Sequence, residues 1–303
     1  MNILVTGSSG LIGSALVSLL TTSGHSVVRL VRSPRLSKER IVTWNPSSGV
    51  INTAELEGLD AVVHLAGEGI ASGRWRPEKK ARIRESRVRG TRLLCESIVR
   101  LVSPPKVLIC ASAIGYYGNR SDEVLTEESC SGSGFLAEVC REWESATEPV
   151  VGKRIRVVNL RIGVVLSPAG GALAMMLKPF QLGLGGKLGR GNQYVSWIAI
   201  EDLVSSIYHV LMTNTLQGAV NAVAPNPVTN LQLTKVLGRL LSRPTLFPVP
   251  AFLLQLMFGE FANEGLLASA RVIPSKLLNT GYHFRYPNLE EALRHLLMES
   301  KKR

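Results

Sequence analysis

The strongest constraint on this chain stands at its start. Asn2 to Thr6 is a short apolar run that meets glycine at once, in Gly7-Ser8-Ser9-Gly10-Leu11-Ile12-Gly13. Leu11 to Leu20 then repeats apolar residues at helical spacing. Gly24 is placed to end that helix, and Ser26 to Val31 is a second apolar run. Strand, loop, helix and strand within about thirty residues form a βαβ unit. Glycines at this spacing permit a tight turn, close approach of a phosphate to the backbone, and packing of helix on strand. Gly7, Ser9, Gly10, Leu11, Ile12 and Gly13 are therefore candidates to hold a pyrophosphate against the helix N-terminus.

Further apolar runs at Asp60 to Leu65, Val107 to Ala111 and Arg156 to Leu160 suit parallel strands covered on both faces. Helical patterns lie between them, at Glu78 to Leu101 and Phe135 to Glu148. This alternation predicts an α/β fold, a doubly wound parallel sheet of the Rossmann type, over residues 1–165. After residue 165 the texture changes. Gly170, Gly171, Gly183, Gly185, Gly186, Gly189 and Gly191 read as loops covering a ligand crevice. Glu201 to Met212 and Asn230 to Leu241 read as helices, the second capped by Thr229 or Asn230. Ala219 to Val223 reads as a strand returning to the sheet, and the proline-flanked Pro248 to Phe258 as a short apolar helix. Residues 166–303 are thus expected to form mainly a smaller C-terminal α/β substrate lobe.

The cofactor class follows from the end of the second strand. A ribose 2′-hydroxyl calls for an acidic residue there. The segment reads Arg29-Leu30-Val31-Arg32-Ser33-Pro34-Arg35, without a carboxylate. Arg32 with Ser33 suits a 2′-phosphate, so NADP(H) is the expected cofactor. A formal charge of +12 invites a nucleic-acid reading, but the basic residues of the 74–92 segment lie along one predicted helix without interleaved aromatics. No nucleic-acid partner is expected, and an anionic small ligand accounts for part of the charge. The four cysteines show no metal-ligand spacing, so neither a zinc site nor any other metal is expected, and a reducing, cytoplasmic location is. An organellar location stays open if a transit peptide was removed. No apolar run reaches the roughly 18 residues of a membrane span, and no membrane partner is expected. A monomer or homodimer is.

Several motifs now converge: Thr6 to Gly13, Asp60-Ala-Val-Val-His-Leu-Ala-Gly67, Ser112-Ala-Ile-Gly-Tyr-Tyr-Gly118, Arg161 to Leu166, Ser196-Trp-Ile-Ala-Ile-Glu-Asp-Leu203, and Val272-Ile-Pro274 followed by Gly281-Tyr282. Together they resemble the extended short-chain dehydrogenase/reductase superfamily, in particular its atypical branch of NAD(P)-dependent epimerase-family proteins, some labelled SulA-like. The resemblance spans essentially the whole chain. It implies that Leu65, Ala66 and Gly67 line the cofactor and that Val165 sits at the nicotinamide end. It further implies that Asp60 could approach the adenine and that Arg87 faces the cofactor.

Hydride transfer in that superfamily uses a Tyr acid/base with a Lys four residues on. Here the segment reads Phe135-Leu-Ala-Glu-Val139, with neither. Three readings are open. Ser112 and Tyr117, with Tyr116 as an alternative, could form a different acid/base group. Glu68 could act as a base on the substrate if burial raised its pKa. Or the site binds NADP(H) without turnover, as a nucleotide sensor or interaction protein. The substrate side is expected at Gly189 to Trp197, where Arg190 and Gln193 could bind a polar ligand and Trp197 could form an apolar wall. His64 and Trp197 have core packing as their ordinary role.

Overall fold

The computed structural model describes residues 1–33, 40–71 and 73–300. Pro34 and Arg35 lie outside them. The central sheet contains β1 (Asn2–Thr6), β2 (Ser26–Val31), β3 (Arg40–Asn45), β4 (Val50–Ile51), β5 (Ala61–His64), β6 (Val107–Ala113), β7 (Arg156–Ile162) and β8 (Gly218–Ala222). Its order is β8-β7-β6-β5-β1-β2-β3-β4, and only the β3–β4 pair is antiparallel. The order reverses at β1, whose neighbours are β5 and β2. In open parallel sheets a crevice for ligands forms beyond the carboxyl ends of the strands at such a reversal.

Both faces are covered, because successive residues of a strand point to opposite sides. Ile3, Val5, Val63, Ile109 and Val158 belong to one core with α1 (Leu11–Thr22) and the helix Ile200–Met212. Leu4, Val62 and Leu108 belong to another with Leu94 and Ile98 of α2 (Pro77–Val99). Each fully buried aliphatic side chain contributes roughly 1.5–3 kcal/mol. This is why the strands read as continuous apolar runs.

Two elements were not visible as patterns. β3 alternates, burying Val42 and Trp44 between outward-facing polar residues, as an outer strand does. The glycine-rich stretch expected to be loop contains the helix Gly171–Gln181. Its glycines bracket the helix: Gly171 has φ +69° and Gly183 φ +74°, while Leu173, Leu177 and Phe180 between them are buried. Thr229 caps the helix Asn230–Leu241 in a capping box with Gln232. Among the described residues, no helix is long and apolar enough to cross a membrane.

Candidate functional site

The glycine loop leaves β1 at the reversal point. Gly7 adopts φ +63°, and a Cβ there would stand 2.8 Å from the backbone of Leu65. The chain therefore crosses the end of β5 at a distance only glycine permits. Gly10 donates its N–H to the Gly7 carbonyl at 3.0 Å, and α1 begins at Leu11. The N-cap, Gly10, has no side chain to cap that helix, and among the described residues no acidic residue stands in its first turn. Its first N–H groups and positive dipole end thus have no internal anion. Ser8 Oγ is buried with no partner among the described residues, and Arg29 Nη1 donates to the Ser8 carbonyl at 3.2 Å. These features fit a pyrophosphate. Thr6 pairs in register with Leu30, so Arg32 emerges, exposed, beside the loop at the carboxyl end of β2.

A buried polar relay supports the loop from behind. Thr6 Oγ1 accepts the N–H groups of Leu65 and Ala66, each at 3.1 Å, so its proton turns to His64 Nδ1 at 2.7 Å. The ring then carries its own proton on Nε2 and donates to Thr91 Oγ1 at 3.0 Å. Thr91 Oγ1 also accepts Trp143 Nε1–H at 2.9 Å. The bland expectation for His64 as a satisfied core residue matches its surroundings.

Burial lowers the His64 pKa from 6.5 to about 4. The folded-state value lies below the unfolded one, so this contribution is complete above about pH 6.5 and is lost as the pH falls toward 4. At roughly 1.4 kcal/mol per unit, the loss between pH 7.5 and 4.5 is about 2–3 kcal/mol. Urea unfolding of the protein and of His64→Gln at both pH values checks this: the variant should lack that share of the acid destabilisation. Equal losses in the two proteins would remove the relay's assigned protonation state.

The turn after β5 is held from below by Arg87. Its guanidinium lies beside Gly67, donates through Nη1 to the Glu68 carbonyl at 3.0 Å, and stacks 5.0 Å from the Trp143 ring. Arg87, expected to face the cofactor, thus supports the turn whose Leu65 to Gly67 are expected to line it. Glu68 also departs from expectation. Lys79 Nζ contacts Glu68 Oε1 at 2.8 Å, with Arg82 nearby, and the ammonium holds the carboxyl below its usual range. A base with a raised pKa is not what this pairing makes.

Phe135, where the resemblance leads one to expect the acid/base tyrosine, opens α3 (Phe135–Ser145). Its ring centroid is 5.2 Å from that of Trp75, and Lys80 Nζ stands 4.5 Å from it. The Glu264 carboxylate accepts the N–H groups of Phe135 and Leu136 at 2.8 and 2.7 Å, a capping arrangement that complements the helix dipole. Val139, in place of the lysine, is buried core. Neither position offers a titratable proton.

Ser112 and Tyr117 do come together, but around a buried ion pair that sequence reasoning missed. Arg161 Nε and Nη2 donate to Glu144 Oε1 and Oε2 at 2.8 and 2.9 Å, and Nη1 donates to Tyr117 Oη at 3.0 Å. Ser112 Oγ donates to Glu144 Oε1 at 2.7 Å. Tyr117 is fully buried; its hydroxyl lies 2.7 Å from Asn221 Oδ1 and 3.0 Å from the Thr126 carbonyl. Burial pushes the phenol up. Both hydroxyl protons are committed inside the protein, which corrects their assignment as an acid/base group. The available signal was an arginine inside the apolar run of β7, which demands a partner. The Arg161 guanidinium also lies 3.5 Å over the Tyr116 ring.

Other candidates are dispersed. Asp60 stands just before the amino end of β5, where its carboxylate accepts the Asn2 N–H at 2.7 Å, at the opposite end of the strands from the glycine loop. It joins strands and cannot approach the adenine from there. Gln193 is buried, with Nε2 donating to the Leu188 and Leu266 carbonyls at 3.1 and 3.2 Å. Trp197 is fully buried, with Nε1 donating to the Asn226 carbonyl at 3.1 Å. Both are satisfied inside the protein, Trp197 in the core shared with β1 and α1, instead of lining a substrate site. Arg190 is exposed on its loop, and Val165 packs at the edge of the core in the short strand Val164–Ser167. Among the described residues no cluster of side chains suits a metal ion.

Residues 3–222 match the NAD dependent epimerase/dehydratase family, and residues 249–296 match a domain of unknown function, DUF1731. The chain belongs to the NAD-dependent epimerase/dehydratase family. Within it, the chain is 44% identical over 289 residues to the epimerase family protein MT2273 of Mycobacterium tuberculosis, covering 95% of each chain. It is 36% identical over 300 residues to the human epimerase family protein SDR39U1, covering 98% of this chain and 100% of that one. The crystal structure of human SDR39U1 (isoform 2) with NADPH superposes with TM-score 0.89 at 35% identity, covering 98% and 99% of the two chains. This chain is an atypical extended short-chain dehydrogenase/reductase of that family, with the family's Rossmann sheet.

Proposed function

We propose that this family member is an NADP(H)-dependent oxidoreductase or epimerase acting on a small molecule. The observation that carries the cofactor choice is Arg32, at the carboxyl end of β2 beside an uncapped helix N-terminus, with no carboxylate between Arg29 and Ser33. The NADPH in the human relative's structure supports the same choice. When bound, the nicotinamide supplies or accepts hydride. The chain's own contribution is to hold the pyrophosphate on Gly7, Ser9, Gly10 and the first turn of α1, and to pair Arg32 with the 2′-phosphate. Leu65 to Gly67, fixed by Thr6 and Arg87, wall the crevice. Arg190 is the residue proposed to meet a polar or anionic substrate. The free thiols Cys95, Cys110, Cys130 and Cys140 support a reducing, cytoplasmic setting.

Fluorescence titration with NADPH and NADH tests the cofactor reading. NADPH should bind more tightly, and Arg32→Ala should weaken NADPH about ten- to hundredfold while leaving NADH nearly unchanged, since a charge-assisted hydrogen bond is worth about 1.5–3 kcal/mol. A preference for NADH would overturn it. Phe135 and Val139 favour a second reading, a nucleotide-sensing interaction protein without turnover, with the basic helix α2 or the apolar Pro248 to Phe258 segment as its partner surface. Cofactor oxidation with any member of a panel of carbonyl compounds or sugar nucleotides would exclude that reading.

A further inference from the structure

The helix Ala251–Phe258 buries a single side chain, Leu254. Phe252 is 70% exposed, Leu256 65% and Met257 55%. The preceding segment adds exposed Leu246 and Phe247. Val249 exchanges backbone hydrogen bonds of 2.8 Å with Lys187 and Gly189, and Gly186 abuts the Phe247 carbonyl. These contacts bring exposed Leu184 alongside. Gln255, the polar residue of the helix, turns its amide to Asn263 Oδ1 at 2.9 Å. The result is a continuous apolar face far denser than the scattered single hydrophobics of an ordinary surface.

The charge around this face is predominantly positive, and its nearby carboxylates are engaged: Glu260, just past the helix, pairs with Lys80 at 2.9 Å, and Glu264 accepts the Phe135 and Leu136 N–H groups. Lys187 lies in the paired segment, Arg190 follows the glycine that touches Ala251, Arg243 precedes Leu246, and Arg74 reaches Gly259. From Pro149 to Gly259 the only acidic residues are Glu201 and Asp202. Asp202 is buried, accepting the Arg285 and Tyr286 N–H groups, and Glu201 faces His295. A protein partner is ordinarily met by a rim carrying both signs and hydrogen-bonding groups. An apolar helix with a net cationic rim matches an interface with hydrocarbon beneath and anionic headgroups around it.

We propose that this face docks the protein on an anionic lipid surface, with Phe252, Leu256 and Met257 entering the acyl boundary and Lys187 and Arg243 meeting headgroups. The helix lies on the bilayer; eight residues are far short of the roughly 20 needed to cross it. Absence of a spanning segment, which led the sequence reading to expect no membrane partner, does not bear on a helix that lies flat.

Co-sedimentation of the full-length protein with vesicles tests this independently of cofactor binding or turnover. Vesicles of phosphatidylcholine mixed with phosphatidylserine should pull down the protein, several-fold better than phosphatidylcholine alone, and less as salt rises. Phe252→Ser with Leu256→Ser should lower binding at least about tenfold with thermal unfolding unchanged. Lys187→Gln with Arg243→Gln, which leaves the apolar face intact, should abolish the preference for phosphatidylserine. Failure to sediment with either vesicle would overturn the proposal. So would a dimer in light scattering that the Phe252→Ser, Leu256→Ser variant converts to monomer, because a second copy would then cover the face.

Discussion

Replacing Glu144 with alanine is expected to cost about 3–5 kcal/mol of folding stability, because it strands the Arg161 guanidinium inside the protein. The two side chains are 5% and 14% exposed, and the pair is bidentate at 2.8 and 2.9 Å. Ser112 Oγ would lose its acceptor in the same step. The exposed pair Arg92–Glu96, at 3.1 Å on α2, provides the contrast: Glu96→Ala should fall within about 1 kcal/mol, since solvent screens both charges. Removing both charges of the buried pair, as Glu144→Leu with Arg161→Met, should recover most of the loss, because no uncompensated charge remains. Urea denaturation of the four proteins measures all of this. A Glu144→Ala cost near that of Glu96→Ala would mean that the pair is hydrated and carries no structural weight.

Gly13→Ala should reduce NADPH binding by about a hundredfold or more while the protein stays folded. The added Cβ would lie 2.2 Å from the Gly7 carbonyl oxygen and 2.8 Å from Ser8 Cα. Both are backbone atoms that cannot rotate away, so the loop itself must move. Alanine is the better helix former by about 1 kcal/mol, and on an isolated helix the change would stabilise. Overpacking costs about 1–3 kcal/mol, so the clash sets the sign, yet the net loss is small for a chain of this size. Displacement of the phosphate-binding N–H groups by about 1 Å is what binding reports. Gly24→Ala is the control: it has nothing within 4 Å but sits at φ +80°, so it should lose about 1 kcal/mol of stability and no affinity. Titration by NADPH fluorescence with parallel thermal melts separates the two effects. Binding within a few-fold of the unaltered protein would remove the glycine loop as the pyrophosphate site.

The proposed phosphate side of the site is legible in the sequence because its determinants are adjacent in the chain. Gly7 to Gly13 and Arg32 act through backbone conformation and strand ends, and the βαβ pattern places both. The catalytic candidates behaved differently. Ser112 stands at the end of β6 and Tyr117 at the end of the helical turn after it, but the availability of their hydroxyls depends on Arg161, Glu144 and Asn221, which fold in from three other elements. Glu68 was read for burial, and its pKa is set by Lys79 from α2. Phe135 and Val139 were readable as missing chemistry, whereas the Glu264 cap on α3 was not.

The sequence by itself determined the doubly wound architecture and the placement of the glycine loop at the carboxyl end of β1. Apolar runs, helical spacing and glycine positions act over a few residues, and their consequences survive wherever the chain goes next. The tertiary structure alone decided which polar groups have protons to offer. A buried hydroxyl or carboxylate takes its character from whatever packs on it, and those partners, Glu144 for Arg161 or Glu264 for the start of α3, come from other elements of the fold. The same reason explains the exposed helix Ala251–Phe258: its composition reads as core, and only the fold leaves it uncovered.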